Sequence, residues 1–128
     1  MVFPQIKAST GTTKQVGDAA EDAALHYLQE RGLRLLERNY RTPGRGGGEI
    51  DLIMRMPDGT VAFVEVRQRS SVSHGGAGAS VSAVKQRRII FAARHYLMRW
   101  RAPPPCRFDV VLIEPAGTEW LQAAFQAW

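Results

Sequence analysis

A chain of 128 residues has enough apolar material for one core and leaves no room for a second. With 45% hydrophobic and 23% charged residues it has the balance of a soluble globular protein, and no apolar run is long enough to span a bilayer. Seventeen Lys and Arg against twelve Asp and Glu give a net charge of +5, which favours polyanionic partners without requiring one, while the single cysteine, Cys106, excludes an intrachain disulfide and a cysteine-based zinc site.

The segment from Met1 to Lys7 has neither an apolar h-region nor a small-residue cleavage site, so no secretory signal is expected and the cytoplasm is the expected compartment. Residues 1–16 read as a flexible polar tail and residues 17–128 as a single domain. Asp18 opens a helical pattern in which Ala20, Ala23, Ala24, Tyr27 and Leu28 recur at i, i+3, i+4, i+7 and i+8. Asp18 and Glu21 form a candidate capping pair, and Gly32 is a natural stop. Residues 33–40 are expected as a first strand, followed by the loop Thr42-Pro-Gly-Arg-Gly-Gly-Gly48. Strands are expected from Glu49 to Met56 and from Thr60 to Arg69, joined at Pro57-Asp58-Gly59. Ser70 to Ser80 reads as a second flexible loop, and its His74 is better explained as solvated than as a substrate contact. A long helix is expected from about Ser82 to Arg101, with Ile89, Ala92, Ala93, Tyr96, Leu97 and Trp100 on one stripe. Arg107 to Glu114 reads as a strand, whereas Thr118 to Trp128 fits either period. The order is α-β-β-β-α-β-β if the tail is a strand, an α/β fold with a mixed β-sheet flanked by helices.

The hairpin at residues 49–67 carries the chemistry. If it is symmetric about Asp58, residues whose numbers sum to 116 face each other. One face then pairs Ile50 with Val66, Leu52 with Val64 and Met54 with Ala62, all apolar. The other pairs Glu49 with Arg67, Asp51 with Glu65 and Ile53 with Phe63. Directly opposed, Asp51 and Glu65 would have Cβ atoms about 4.5–5.5 Å apart. Two carboxylates that close repel unless one is protonated or a cation lies between them. Together with a backbone carbonyl and waters, they would suit Mg²⁺ or Mn²⁺, which can polarise a phosphoryl oxygen. An alternative stays open in which each acid finds its own arginine among Arg55, Arg67 and Arg69.

Gly48-Glu-Ile-Asp-Leu-Ile53 followed by Phe63-Val-Glu-Val-Arg67 resembles the signature of the YraN-like family of small bacterial proteins. That family is of predicted nuclease type, similar to Holliday-junction resolvases and to the restriction-endonuclease-like PD-(D/E)xK superfamily. Gly17-x-x-Ala20-Glu21-x-x-Ala24, Arg38-Asn-Tyr-Arg41, Val84-Lys85-x-x-Arg88 and Arg107-Phe-Asp-Val-Val111 extend the likeness over about residues 16–125. The resemblance implies a metal-dependent endonuclease acting on structured or branched DNA, with Mg²⁺ or Mn²⁺ on Asp51 and Glu65. It implies an assisting metal role for Glu21, against the capping role above. It also implies a homodimer, by analogy with resolvases that cut two strands. The family motif ends in Lys where this chain has Arg67. A guanidinium stays protonated and is bulkier than an ammonium, so it can supply charge but no base. Lys85, at the helix start, is a candidate substitute ammonium. Arg41, Arg45, Arg69, Lys85 and Arg88 are the candidate DNA contacts. A catalytically silent nucleic-acid-binding module with the same fold is the competing reading, and a protein-interaction module is a third.

Overall fold

Apolar residues three and four apart bury one stripe of α1 (Thr13–Glu30), with Ala20, Ala24 and Leu28 against the sheet. The computed structural model describes residues 13–69 and 81–127. The expected loop Ser70 to Ser80, with His74, lies outside the described residues, as does the tail up to residue 12. Helix α1 starts more than a turn before Asp18, which therefore lies inside it. This overturns the expected Asp18/Glu21 capping pair and makes the last residues of the expected tail helical. The physical reason is that nothing between Thr13 and Asp18 breaks a helix except Gly17, whose cost of about 1 kcal/mol a packed helix absorbs. At the other end Gly32 takes φ +91° and Leu33 N–H bonds back to the Leu28 carbonyl at 3.1 Å, the expected glycine stop.

Five strands follow: β1 (Arg34–Arg41), β2 (Glu49–Arg55), β3 (Val61–Gln68), β4 (Cys106–Glu114) and β5 (Gly117–Phe125), with α2 (Ala83–Leu97) between β3 and β4. They form one sheet in the order β1-β2-β3-β4-β5. Neighbours run antiparallel except β3 and β4, which are parallel and joined through α2. The mixed sheet with flanking helices and the α-β-β-β-α-β-β order are as expected, and the ambiguous tail is a strand.

Helix α2 is shorter than expected, stopping at Leu97. Met98, Arg99 and Trp100 continue it with N–H groups bonded three residues back, to His95, Tyr96 and Leu97, a tighter turn before the prolines at 103–105. Ser82 caps its start by accepting from Lys85 N–H at 3.1 Å. Each face of the sheet has its own core. Ile53, Phe63, Phe108 and Val110 pack against Ile89, Ala92, Ala93 and Tyr96 of α2. Leu52, Met54, Ala62, Val64 and Val111 pack with Ala24 and Leu28 of α1. Among the described residues no helix is long and apolar enough to cross a membrane.

Beside the second core, Asp109 is fully buried and bonded on all sides. It accepts from Arg107 through Nε and Nη2, from Trp120 Nε1 and from Ala123 N–H, all at 2.8–3.0 Å. These bonds tie β5 to β4 where their register shifts between Phe108 and Val110 and where Ala123 takes φ +53°.

Candidate functional site

The hairpin has the expected register: Leu52 pairs with Val64, Ile53 with Phe63, Met54 with Ala62 and Arg55 with Val61. Beyond Leu52 the arrangement differs from a regular ladder. Side chains two apart on a strand share a face. Yet Leu52 packs in the α1 core while Ile50 packs in the α2 core, so Ile50 does not share a face with Leu52 and Met54 as expected. The neighbouring strand does the same. Arg38 meets α1 through Glu21 and Asp22, but Tyr40 packs among the α2 residues. Arg38 pairs with Leu52 and Tyr40 with Ile50, so Asn39 and Asp51 sit side by side where both strands turn over. Asn39 makes the turn with φ +53°, a conformation asparagine tolerates better than most residues.

The turnover aims Asp51 at the edge of β3. Instead of a backbone partner, Val66 N–H donates to Asp51 Oδ2 at 2.8 Å. Asp51 also shares a hydrogen bond with Glu65, which is only 5% exposed. The two acids are together, as expected, though they meet through side chains at the end of the paired stretch. Burial, then the charge of Glu65, pushes the Asp51 carboxyl up from 3.8 to about 7. Near neutrality the Asp51 carboxyl is therefore partly protonated. Lys85 reaches in from the first turn of α2, with Nζ 3.0 Å from Glu65 Oε2. Burial works against its ammonium, but Glu65, Asp51 and Glu49 outweigh that and hold its pKa above the usual lysine value.

Glu21 approaches from α1. Burial and then the charge of Asp51 raise its pKa, against the pull of Arg38, whose Nε lies 3.5 Å from Glu21 Oε1. Among the described residues no three of His, Cys, Asp and Glu are gathered closely enough to hold a metal ion. Glu21 thus faces the pair electrostatically without completing a three-acid cluster. A shallow concavity lined by Gly17, Asp18, Glu21, Asn39, Glu49 and Asp51 opens there, with Arg41 on its rim.

The alternative in which each acid finds its own arginine is not what forms. Glu65 takes a lysine and Asp51 a backbone amide; Arg55 donates to the Gly59 carbonyl, and Arg69 lies 3.7 Å from Glu114. That ion pair, with Arg69 N–H bonded to the Ile113 carbonyl, gives Arg69 a place at the β3–β4 edge. Arg67 continues β3 beside Leu112. Arg41 pairs with Glu49 at 3.0 Å and, with Arg88, also lines a second concavity along the glycine loop. Arg45 is exposed on that loop. The glycines there serve packing: a Cβ on Gly48 would stand 1.9 Å from the Arg88 carbonyl oxygen, and one on Gly47 2.3 Å from Thr42 Oγ1. Sequence reasoning gave no role to Asn39, whose one signal is an asparagine inside a strand pattern.

The description "Uncharacterised protein family UPF0102" belongs to the family model that matches residues 20–113. A UPF0102 protein of Albidiferax ferrireducens is 73% identical over 127 residues, covering 99% of both chains. One from Polaromonas naphthalenivorans is 71% identical, covering 91% of this chain and 82% of its own. Another, from Cupriavidus pinatubonensis, is 55% identical over 97% of this chain and 93% of its own.

Proposed function

The chain belongs to the UPF0102 family, and from the site at the end of its central hairpin we propose that it is a metal-dependent nuclease acting on DNA phosphodiester bonds. The observation that carries this reading is the hydrogen-bonded pair of half-buried Asp51 and buried Glu65, with the Lys85 ammonium 3.0 Å from Glu65. Carboxylates so placed suit a cation: Lys85 already offsets charge that a divalent ion would offset better. The donor set fits Mg²⁺ or Mn²⁺, since both side chains offer hard oxygens. Asp51 and Glu65 would hold the ion, with a backbone carbonyl and waters completing its shell. Such an ion polarises a phosphoryl oxygen and lowers the pKa of bound water.

The chain's own residues suit a polyanionic substrate. Arg41 and Arg88 line the concavity along the glycine loop, and Arg41 also borders the one that holds Asp51, where they can meet phosphates. Val66 N–H holds Asp51 in place, and Arg38 holds Glu21 beside it, so little needs to reorganise when substrate arrives. The likeness of the Gly48–Ile53 and Phe63–Arg67 motifs to restriction-endonuclease-like proteins points the same way and favours structured or branched DNA.

A second reading, a silent DNA-binding module, rests on Arg67 standing where the related motif has Lys. One experiment separates the two. Mn²⁺ binding by calorimetry is compared between the wild type and Asp51→Asn/Glu65→Gln, alongside cleavage of labelled four-way junction, flap and single-stranded DNA. Binding that vanishes in the double variant, with metal-dependent cleavage by the wild type, supports the nuclease. Binding of DNA with no Mn²⁺ uptake and no cleavage supports the silent module.

A further inference from the structure

Of the seventeen basic residues only Lys7, Lys14 and Lys85 are lysines, and Lys85 alone lies past the first helix. It occupies an awkward place. The first turn of a helix carries the positive end of the macrodipole and favours acids, yet α2 has none there and has a lysine instead. The position is also firmly held. Ser82 Oγ accepts from Lys85 N–H, Gln86 N–H bonds to the Ser82 carbonyl at 2.8 Å, and Gln86 Nε2 donates to the Val81 carbonyl at 2.8 Å. What offsets the awkward placement is the acid pair, with Nζ 3.0 Å from Glu65 and the charges of Asp51 and Glu49 nearby.

The side-chain type is informative. Elsewhere the chain uses arginine for nearly every positive charge, but here it has an ammonium, a compact point charge with three rotatable donors. A planar guanidinium would need more room beside a carboxylate that is 5% exposed. Lys85 itself is 46% exposed, so its side chain reaches solvent while its ammonium rests on Glu65.

We propose that Lys85, reaching in from α2, supplies the positive charge that meets a non-bridging oxygen of the scissile phosphate, with Glu65 as its tether until substrate arrives. This inference rests on the nuclease reading and deepens it by assigning the charge to Lys85. In the hydrolysis a water oxygen bonds to phosphorus as the bond from phosphorus to the leaving sugar oxygen breaks. The water releases a proton to solvent and the leaving oxygen takes one from it. Lys85 exchanges no proton and stabilises the negative charge that builds on the phosphoryl oxygens.

Lys85→Ala and Lys85→Arg are compared with the wild type in Mn²⁺ calorimetry and in single-turnover cleavage of a labelled four-way DNA junction at saturating protein. Losing a donor of this kind lowers the rate about 10²–10³-fold. Lys85→Ala is expected to show that loss at saturation, with DNA affinity changed less than about tenfold. It is also expected to bind Mn²⁺ more tightly than the wild type, because the competing ammonium is gone. Lys85→Arg, keeping the charge, should recover part of the rate. The added substitution Arg67→Lys in the Lys85→Ala background should do so too, by returning an ammonium to the site from β3. A lysine that merely shores up Glu65 predicts the reverse for the metal, weaker Mn²⁺ binding in step with slower cleavage, and that result overturns the proposal. So does a Lys85→Ala variant that cuts at the wild-type rate, which leaves the nuclease reading standing. A wild type that neither takes up Mn²⁺ nor cuts DNA removes the nuclease reading and this inference with it.

Discussion

Asp51→Asn is expected to stabilise the metal-free protein at pH 8 and leave it little changed at acid pH. In the folded chain the Asp51 carboxyl titrates at about 7, raised from 3.8 by burial and by the charge of Glu65, whereas in the unfolded chain it titrates near its ordinary value. Between those values the folded protein holds a proton that the unfolded chain has lost. Stability is therefore fully present below about pH 4 and falls as pH rises towards 7. Roughly three pH units at about 1.4 kcal/mol each set a ceiling of about 4 kcal/mol. Glu21, raised by burial and by the charge of Asp51, acts in the same direction. Asparagine keeps an oxygen to accept from Val66 N–H but cannot ionise, so it escapes most of this cost. A gain of about 2 kcal/mol, half the ceiling, corresponds to a Tm higher by about 6–10 °C in a domain this size. Urea denaturation of both proteins in chelator-treated buffer at pH 4.5 and pH 8 measures it. A difference that is the same at both pH values, or a variant less stable at pH 8, refutes the reasoning. Millimolar Mn²⁺ should raise the wild type at pH 8 and leave the variant unmoved, since a ligand stabilises only the state that binds it.

Asp109→Ala should lose about 1–3 kcal/mol in urea denaturation, because it removes a fully buried carboxylate that accepts from the part-exposed Arg107, from Trp120 and from the Ala123 N–H; a loss well under 1 kcal/mol would mean that water replaces the carboxylate. Gly48→Ala should cost at least about 1–3 kcal/mol, since its Cβ would stand 1.9 Å from the Arg88 carbonyl oxygen and a strand or helix backbone must move. Leu28→Ala, at a side chain with no exposure between α1 and the sheet, should cost about 2–5 kcal/mol by thermal denaturation. Ser82→Ala removes the cap of α2 and should cost about 1 kcal/mol, with a larger effect on cleavage if Lys85 depends on that cap for its position.

The parts of the molecule legible in its sequence are those set by short-range repetition. The stripe Ile89, Ala92, Ala93, Tyr96 and Leu97 could be read because burying one face of a helix repeats every three to four residues, and these are the residues buried on α2. The pairing of Leu52 with Val64 and Met54 with Ala62 could be read because a slipped register would bury charge. What escaped the sequence breaks these repeats. At Asn39 and Asp51 two strands turn over together, so counting by twos puts Ile50 on the wrong side of the sheet, although the same break is what aims Asp51 at Glu65. The pairing of Lys85 with Glu65 joins residues that local periodicity cannot connect, because it depends on where a helix begins relative to a strand in the folded sheet. Asp109 shows the opposite error open to motif reading. It lies in a segment that helped mark the family likeness, yet every hydrogen bond its side chain makes is to its own strand or to β5, so its place in the motif is explained by the clamp it forms. Chemistry and packing leave the same kind of trace in a sequence, an acid at a fixed spacing. Partners separate them: Asp109 has its donors in place, whereas Asp51 and Glu65 bond to each other with Lys85 against Glu65, and that difference is why the proposed site lies at the end of the hairpin.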